Sequence, residues 1–351
     1  MDTTLNDINH INAFDKSGML KVLERFPEDC QAAIIRAQKV PLGSLSRKRF
    51  SEVVFAGIGG SSLGGKLIID WLWKECDVPL VLSRGYHLPS FVNDETLVFT
   101  VSYSGNTEET LSMLSEALRV GASTITVTSG GTMGNISMEN GLPMIPLPKG
   151  YRPRSAIPHQ FFSLATTMHK LGFIKRLWVE ASEALKTMES LRDEISIDVP
   201  INENFAKKIA LRLRGKMPIV YGSSLLEGVA YRLRSQLNEN SKVPSGSGSF
   251  PEAFHNAVLG SEGHSKVLEN LAILILRDND DNDGINIKIE KFKECFTPKV
   301  KEIIDLEARG SGRLSKILSL VYLGDYISTY LGVLYGHDPS TNLSIDKLKK
   351  V

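Results

Sequence analysis

The chain has 351 residues, enough for two domains at roughly 100–200 residues each. Hydrophobic residues make up 42%, which supplies a large core, and 41 basic against 40 acidic residues leave a net charge of +1. That balance argues against nucleic acid or an anionic membrane surface as partner, so any anion site must be local.

Three cysteines, Cys30, Cys76 and Cys295, are scattered and odd in number. They form no CxxC pair and no disulfide framework, which fits a reducing compartment. The polar opening "MDTTLNDINHINAF" lacks the apolar core of a signal peptide. No uninterrupted apolar run approaches the roughly 18 residues of a membrane span. The expectation is a cytoplasmic protein without a membrane partner.

In chain order, "SGMLKVLERF" and "PEDCQAAIIRAQKV" place apolar residues at helical spacing, and residues 1–44 read as an N-terminal helical segment. The pattern changes near residue 51. "EVVFAG" (52–57), "PLVLSR" (79–84), "TLVFTVS" (96–102) and "STITVTS" (123–129) are short buried-strand runs. Helical patterns lie between them, with Leu63, Leu67 and Trp71 on one face and Leu111, Leu114 and Leu118 on another. Strands alternating with helices predict a parallel α/β sheet over 45–180.

The pattern returns over 200–351. "MPIVYGSS" (217–224) precedes a helix with Leu226, Val229, Leu233 and Leu237 on one face, and "NLAILILR" (270–277) is the next strand. Strand, Gly-Ser-Ser and helix thus occur twice, a weak internal repeat. Residues 180–205 read as a linker, helical and then polar around "DVPINEN", and "PSGSGSF" (244–250) as a flexible, lid-like loop.

The first turn, "FAGIGGSSLGGK" (55–66), has the composition of a phosphate loop. As a P-loop it offers Gly60, four residues, Gly65 and Lys66, but Leu67 stands where a magnesium-holding hydroxyl belongs. As a dinucleotide fingerprint it keeps Gly57 and Gly59 but has Ser62 at the third position. Arg84, after the next strand, is the one feature favouring a nucleotide phosphate. The third reading joins this turn to "SYSGNTEET" (102–110). There Ser102, Ser104 and Thr107 lie between a strand end and a helix start, and Asn106 with Glu109 reads as a capping box. Helix N-termini attract anions, and hydroxyls add donors without net charge. With Ser61 and the amides of Gly59 and Gly60, two turns after successive strands converge on one dianion, which favours a sugar phosphate.

These residues also resemble a known family. "SYSGNTEET" is similar to the phosphate loop of the sugar isomerase (SIS) superfamily, and "GIGGSS" to its first loop. "PRSA" (153–156), "NEN" (238–240), "PEAFHN" (251–256) and the ending "DPSTNLSIDKLKK" follow the order of one branch, the archaeal-type bifunctional phosphoglucose/phosphomannose isomerases. The resemblance covers about residues 45–351. It implies two SIS domains, each a parallel sheet flanked by helices in a doubly wound, flavodoxin-like arrangement. It implies an isomerase that interconverts glucose 6-phosphate and mannose 6-phosphate with fructose 6-phosphate through a cis-enediol, without metal or cofactor. The assembly implied is a homodimer with His255 donated across the interface.

Residue by residue, the resemblance makes Glu239 the base that moves the proton between C1 and C2, and His255 the ring-opening group. It sets Arg154 against the enediolate oxygens and makes Lys349 an assistant in ring opening. Gly59, Gly60, Ser61, Ser102, Ser104 and Thr107 bind the phosphate. Asn342 replaces a threonine that the family credits with accepting both C2 epimers, with Thr341 beside it. By their surroundings alone, Glu239 is an ordinary helix-end glutamate, His255 a buried histidine between apolar residues, and Arg152 the rival of Arg154. Two other classes stay open: a non-catalytic sugar-phosphate-binding SIS regulator, and a nucleotide-dependent enzyme using the glycine-rich loop. "DNDDNDGINIKIE" (278–290) nearly fits a calcium loop, but a strand pattern precedes it, so it reads as a solvated acidic loop.

Overall fold

The short β-branched runs build two parallel sheets in the computed structural model, which describes residues 3–348. The chain divides into two compact units, Phe26–Val179 and Met1–Arg25 with Glu180–Val351. The N-terminal helical segment is therefore shared. Its helices α1 (Ile8–Phe14) and α2 (Met19–Glu24) belong to the unit that holds the C-terminal half, and α3 (Phe26–Gln38) to the other.

In the unit 26–179 the order along the chain is β1 (Glu52–Gly57), α4 (Gly60–Leu72), β2 (Leu80–Ser83), β3 (Thr96–Val101), α5 (Glu108–Arg119), β4 (Ser123–Thr128), α6 (Gly131–Glu139), β5 (Met144–Pro146) and α7 (Ile157–Lys170). The sheet order is β2-β1-β3-β4-β5 with every pair parallel. This is the flavodoxin-like order, whose switch point lies between β1 and β3. β1, β3 and β4 are almost wholly buried, which is why they read as continuous apolar or β-branched runs. Leu63, Leu67 and Trp71 face the core as their spacing predicts. On α5 the buried stripe is Thr110, Met113, Leu114 and Ala117, one position away from the face assigned from leucines alone.

The other unit runs through α8 (Leu177–Ile195), α9 (Phe205–Leu213), β6 (Met217–Ser223), α10 (Glu227–Asn240), β7 (Gly246–Phe250), α11 (Ser265–Leu268), β8 (Leu271–Arg277), α12 (Asp283–Phe296), β9 (Glu302–Glu307), α13 (Arg313–Leu334) and α14 (Leu343–Leu348). Its sheet, β7-β6-β8-β9, is again all parallel. The lid-like reading of 244–250 is overturned, because Gly246–Phe250 is strand β7, paired along its length with β6. Glycine serves packing here: a Cβ on Gly248 would lie 2.8 Å from the Tyr221 ring, and Phe250 stacks on that ring at 5.6 Å. The segment 180–205 is helical and then irregular, as its pattern predicts, with helix α8 ending at Ile195.

Helix α13 has the length and mean hydropathy of a membrane span, although its sequence is not an uninterrupted apolar run. Its Asp325 and interspersed serines break the run, and 94% of that apolar window is buried within the protein, as in the core helix of a globular fold.

Candidate active site

The register Gly57↔Val101 aligns the carboxyl ends of β1 and β3, so the loops that follow them start side by side at the switch point. The first loop enters α4 through Gly59, at φ +56°, and no side chain caps that helix start. Gly60 lies against the segment before α7: a Cβ there would come within 3.0 Å of the Arg154 amide nitrogen. Glycine at 60 thus lets the first loop and Arg154 approach. Gly65 and Lys66, in contrast, lie inside α4. A Cβ on Gly65 would meet Phe55 at 2.6 Å, and Lys66 Nζ pairs with Asp70 at 2.9 Å. The P-loop reading is therefore excluded, since its lysine belongs to an internal ion pair one turn down the helix.

The second loop, 102–107, is held from within. Ser102 is buried and its Oγ accepts from the Gly105 amide at 3.1 Å and lies 2.9 Å from Thr107 Oγ1. Ser104 Oγ accepts from the Asn106 amide at 3.2 Å, and Ser61 Oγ from the Tyr103 amide at 3.2 Å. A hydroxyl that accepts from an amide keeps its own hydrogen to donate. One of the Ser102 and Thr107 hydroxyls donates to the other, so one hydrogen of that pair and those of Ser61 and Ser104 remain for a ligand. Thr107 is the N-cap of α5 and makes no side-chain cap bond, so it leaves the first amides of that helix uncapped. The capping box is not formed, because Asn106 Oδ1 accepts from the Thr132 amide at 2.9 Å instead. That bond braces the loop against the turn after β4. Gly105 has φ +72°, and a Cβ there would lie 1.8 Å from the Gly130 carbonyl oxygen, so no other residue fits.

Arg154 is 1% exposed, whereas its rival Arg152 is exposed to solvent. The segment is fastened to the second loop through Tyr103. The Tyr103 hydroxyl accepts from the Tyr151 amide and donates to the Pro148 carbonyl, both at 2.8 Å. The Tyr151 hydroxyl in turn donates to Asp29 of α3 at 2.7 Å. His159 of α7 lies edge-on to the Tyr151 ring at 4.9 Å, with Nε2 3.6 Å from the same Asp29 carboxylate. Burial raises the Tyr103 phenol above its ordinary range, which keeps it a neutral donor. These four side chains were missed by sequence reading. They come from three separated stretches, and only the Tyr inside "SYSGNT" signalled a place near the loop.

In the other unit, Glu239 is the penultimate residue of α10 and is half-buried. The helix is fixed against α13 by Arg232–Asp325 (2.6 Å), Gln236–Asp325 (2.9 Å) and Asn240–Ser328 (3.0 Å). His255 follows a short turn after β7 and is exposed. Its apolar neighbours turn inward, Ala253 being buried and Phe254 stacked on Phe250 at 4.7 Å, so the buried-histidine reading is corrected. Lys349 lies outside the described residues.

The calcium-loop look-alike is strand, loop and helix, as the pattern predicts, but it is not simply solvated. Asp278 is buried and pairs with Lys316 at 2.6 Å, and Asp280 reaches the same ammonium at 2.5 Å. Glu290 pairs with Arg277 at 2.7 Å. No group of three or more His, Cys, Asp or Glu able to hold a metal occurs among the described residues.

A model of the bacterial phospho-glucose isomerase C-terminal SIS domain matches residues 202–351. A bifunctional phosphoglucose/phosphomannose isomerase of Caldicellulosiruptor bescii is 35% identical over 332 residues, 94% of this chain and 98% of its own length. The chain belongs to the bifunctional phosphoglucose/phosphomannose isomerase family. A D-glucosamine-6-phosphate 4-epimerase of Sulfolobus acidocaldarius is also similar to this family member, 33% identical over 82% of this chain and 85% of its own. In fold, it resembles a crystal structure of a Thermus thermophilus protein with a TM-score of 0.73, covering 95% of this chain and 89% of that one at 15% identity. The two α/β units with parallel sheets are thus the SIS architecture implied by the loop motifs.

Proposed function

We propose that this chain interconverts glucose 6-phosphate and mannose 6-phosphate with fructose 6-phosphate. What carries the reading is the paired loops after β1 and β3, with three hydroxyl hydrogens and two helix starts uncapped by side chains, in a chain of this family. Such a cradle suits the dianionic tail of a sugar phosphate. Ser61, Ser104, the paired hydroxyls of Ser102 and Thr107, and the amides of Gly59 and Gly60 hold the phosphate.

The remaining roles follow the chemistry. With the ring open, a base takes the proton from one of C1 and C2 and returns it to the other, and a proton moves between the two oxygens to complete the enediol. Glu239 is that base. The permanently charged guanidinium of Arg154 stabilises the enediolate oxygens. His255, exposed in the single chain, opens the ring from a neighbouring copy in a homodimer, with Lys349 assisting. A reducing cytoplasm is the place that suits three free cysteines. A regulator has no use for a base and a ring-opening histidine, so the catalytic reading stands above it.

The 4-epimerase relative supports one competing reading, chemistry at C4 of an amino sugar phosphate. Purified protein with EDTA is supplied with fructose 6-phosphate, and both aldoses are followed. Formation of glucose 6-phosphate and mannose 6-phosphate is expected. No aldose from fructose 6-phosphate, with glucosamine 6-phosphate consumed instead, overturns the proposal.

A further inference from the structure

The end of helix α10 carries a feature that the chemistry above does not use. Lys242, two residues beyond the helix, has φ +60°, and among the described residues no other non-glycine residue has a positive φ. Glycine is the usual residue for this left-handed conformation, which lacks a steric penalty only without a Cβ. The amides of Ser241 and Val243 both donate to the Leu237 carbonyl at 3.2 Å, so the chain turns sharply around Lys242.

The lysine side chain does what glycine cannot. Its Nζ donates to the main-chain carbonyl of Glu239 at 2.5 Å and to that of Thr341 at 2.9 Å. Carbonyls in a last helical turn lack intrahelical partners, and a cation is favoured there. Thr341 is itself fixed to the Asp338 carbonyl by its amide (3.2 Å) and its hydroxyl (2.9 Å), and it leads directly into α14. Both neighbours of Glu239 are pinned as well. Asn238 Oδ1 accepts from the Ser245 amide at 3.1 Å, and Asn240 Nδ2 donates to Ser328 at 3.0 Å. One ammonium therefore joins the main chain at Glu239 to the root of the C-terminal helix.

We infer that Lys242 is a positioning residue: its ammonium sets the main chain that carries the base and ties it to the segment at 338–342. The inference rests on Glu239 being the base. A base must lie within hydrogen-bond reach of the proton it moves, and a displacement of about 1 Å lowers a rate roughly 100-fold.

Three variants test this with fructose 6-phosphate as substrate. Lys242→Met keeps the stem and removes the ammonium. Lys242→Gly removes the ammonium and relieves the backbone, so it folds even where the methionine variant does not. Glu239→Gln is the reference. The expected result is a kcat about 10- to 100-fold lower in both Lys242 variants, with KM within about twofold and an unchanged or higher Tm for Lys242→Gly. Lys242 lines a cavity of about 380 Å³. Butylammonium, which matches the atoms removed from Cβ to Nζ, is expected to restore part of the lost kcat in Lys242→Gly and leave the natural enzyme unchanged. Wild-type kcat in Lys242→Gly without added amine, or a change confined to KM, overturns the inference. Retained turnover in Glu239→Gln overturns instead the reading of the base, and the two failures are thereby distinguished.

Discussion

Ser104, proposed to hold the phosphate, and Lys207, buried in the other unit, illustrate a binding group and a stabilising group. Ser104 is exposed, and its hydroxyl accepts from one amide and keeps a hydrogen for a ligand. A hydrogen bond to a charged group is worth about 1.5–3 kcal/mol, so Ser104→Ala should raise KM roughly 10-fold or more with little change in kcat, by steady-state assay on fructose 6-phosphate. Lys207, 1% exposed, donates to the carbonyls of Ile197 and Val199 at 2.7 and 2.8 Å, and its ammonium lies 5.5 Å from the centre of the Tyr330 ring. Burial lowers its pKa from 10.5 to about 8. Between those values the unfolded chain binds the extra proton, so this group makes the protein more stable as pH rises. Urea unfolding should show the natural protein gaining on Lys207→Met by about 1.4 kcal/mol per pH unit between pH 8 and 10, and no gain below pH 7. The place of Ser104 at a strand end and helix start is legible in the sequence, whereas Lys207 reads only as one basic residue on an amphipathic helix.

The elements were most legible where one residue class dominates. The runs 52–57, 96–101 and 123–128 are buried on both faces of a parallel sheet and read directly as strands. Strand β7 was hidden because its glycines and serines serve close packing against Tyr221 rather than flexibility. β5 and β9 were not read either, since one has three residues and the other carries acids at both ends. The two site loops were legible from Gly, Ser and Thr at strand ends. The brace of Tyr103, Tyr151 and Asp29 was not, because it is made by contacts more than forty residues apart. The start of α13 is a further long-range device. Its N-cap is Gly312, and Glu183 of α8 accepts from the amides of Ser311 and Gly312 at 2.6 and 2.9 Å. The Gly312 amide, foremost, holds the Glu183 carboxyl below its ordinary value. Its contribution is present above about pH 4.5 and lost as pH falls through the lowered folded value. Glu183→Ala should therefore lose about 1 kcal/mol at pH 7 by urea unfolding, with the difference shrinking toward pH 3.

At the scale of the whole molecule, two units of one architecture carry different chemistry. The loops after β1 and β3 offer hydroxyls and helix amides, whereas the loop after β8 is occupied by the Asp278–Lys316–Asp280 cluster. The proposed homodimer with His255 donated to its neighbour makes a mixing prediction. Glu239→Gln and His255→Ala are each slow alone, but mixed subunits create one site with both groups intact. Subunit exchange should restore up to about a quarter of the natural rate, half the dimers being mixed with one good site each. No rise above the sum of the two variants places both groups on one chain. The most direct measurement of the account is turnover of fructose 6-phosphate by Glu239→Gln beside its calorimetric affinity for 5-phosphoarabinonate. The account predicts turnover lower by about 1,000-fold or more with affinity within about twofold, because the base is gone and both phosphate loops remain. Turnover near that of the natural protein would contradict it.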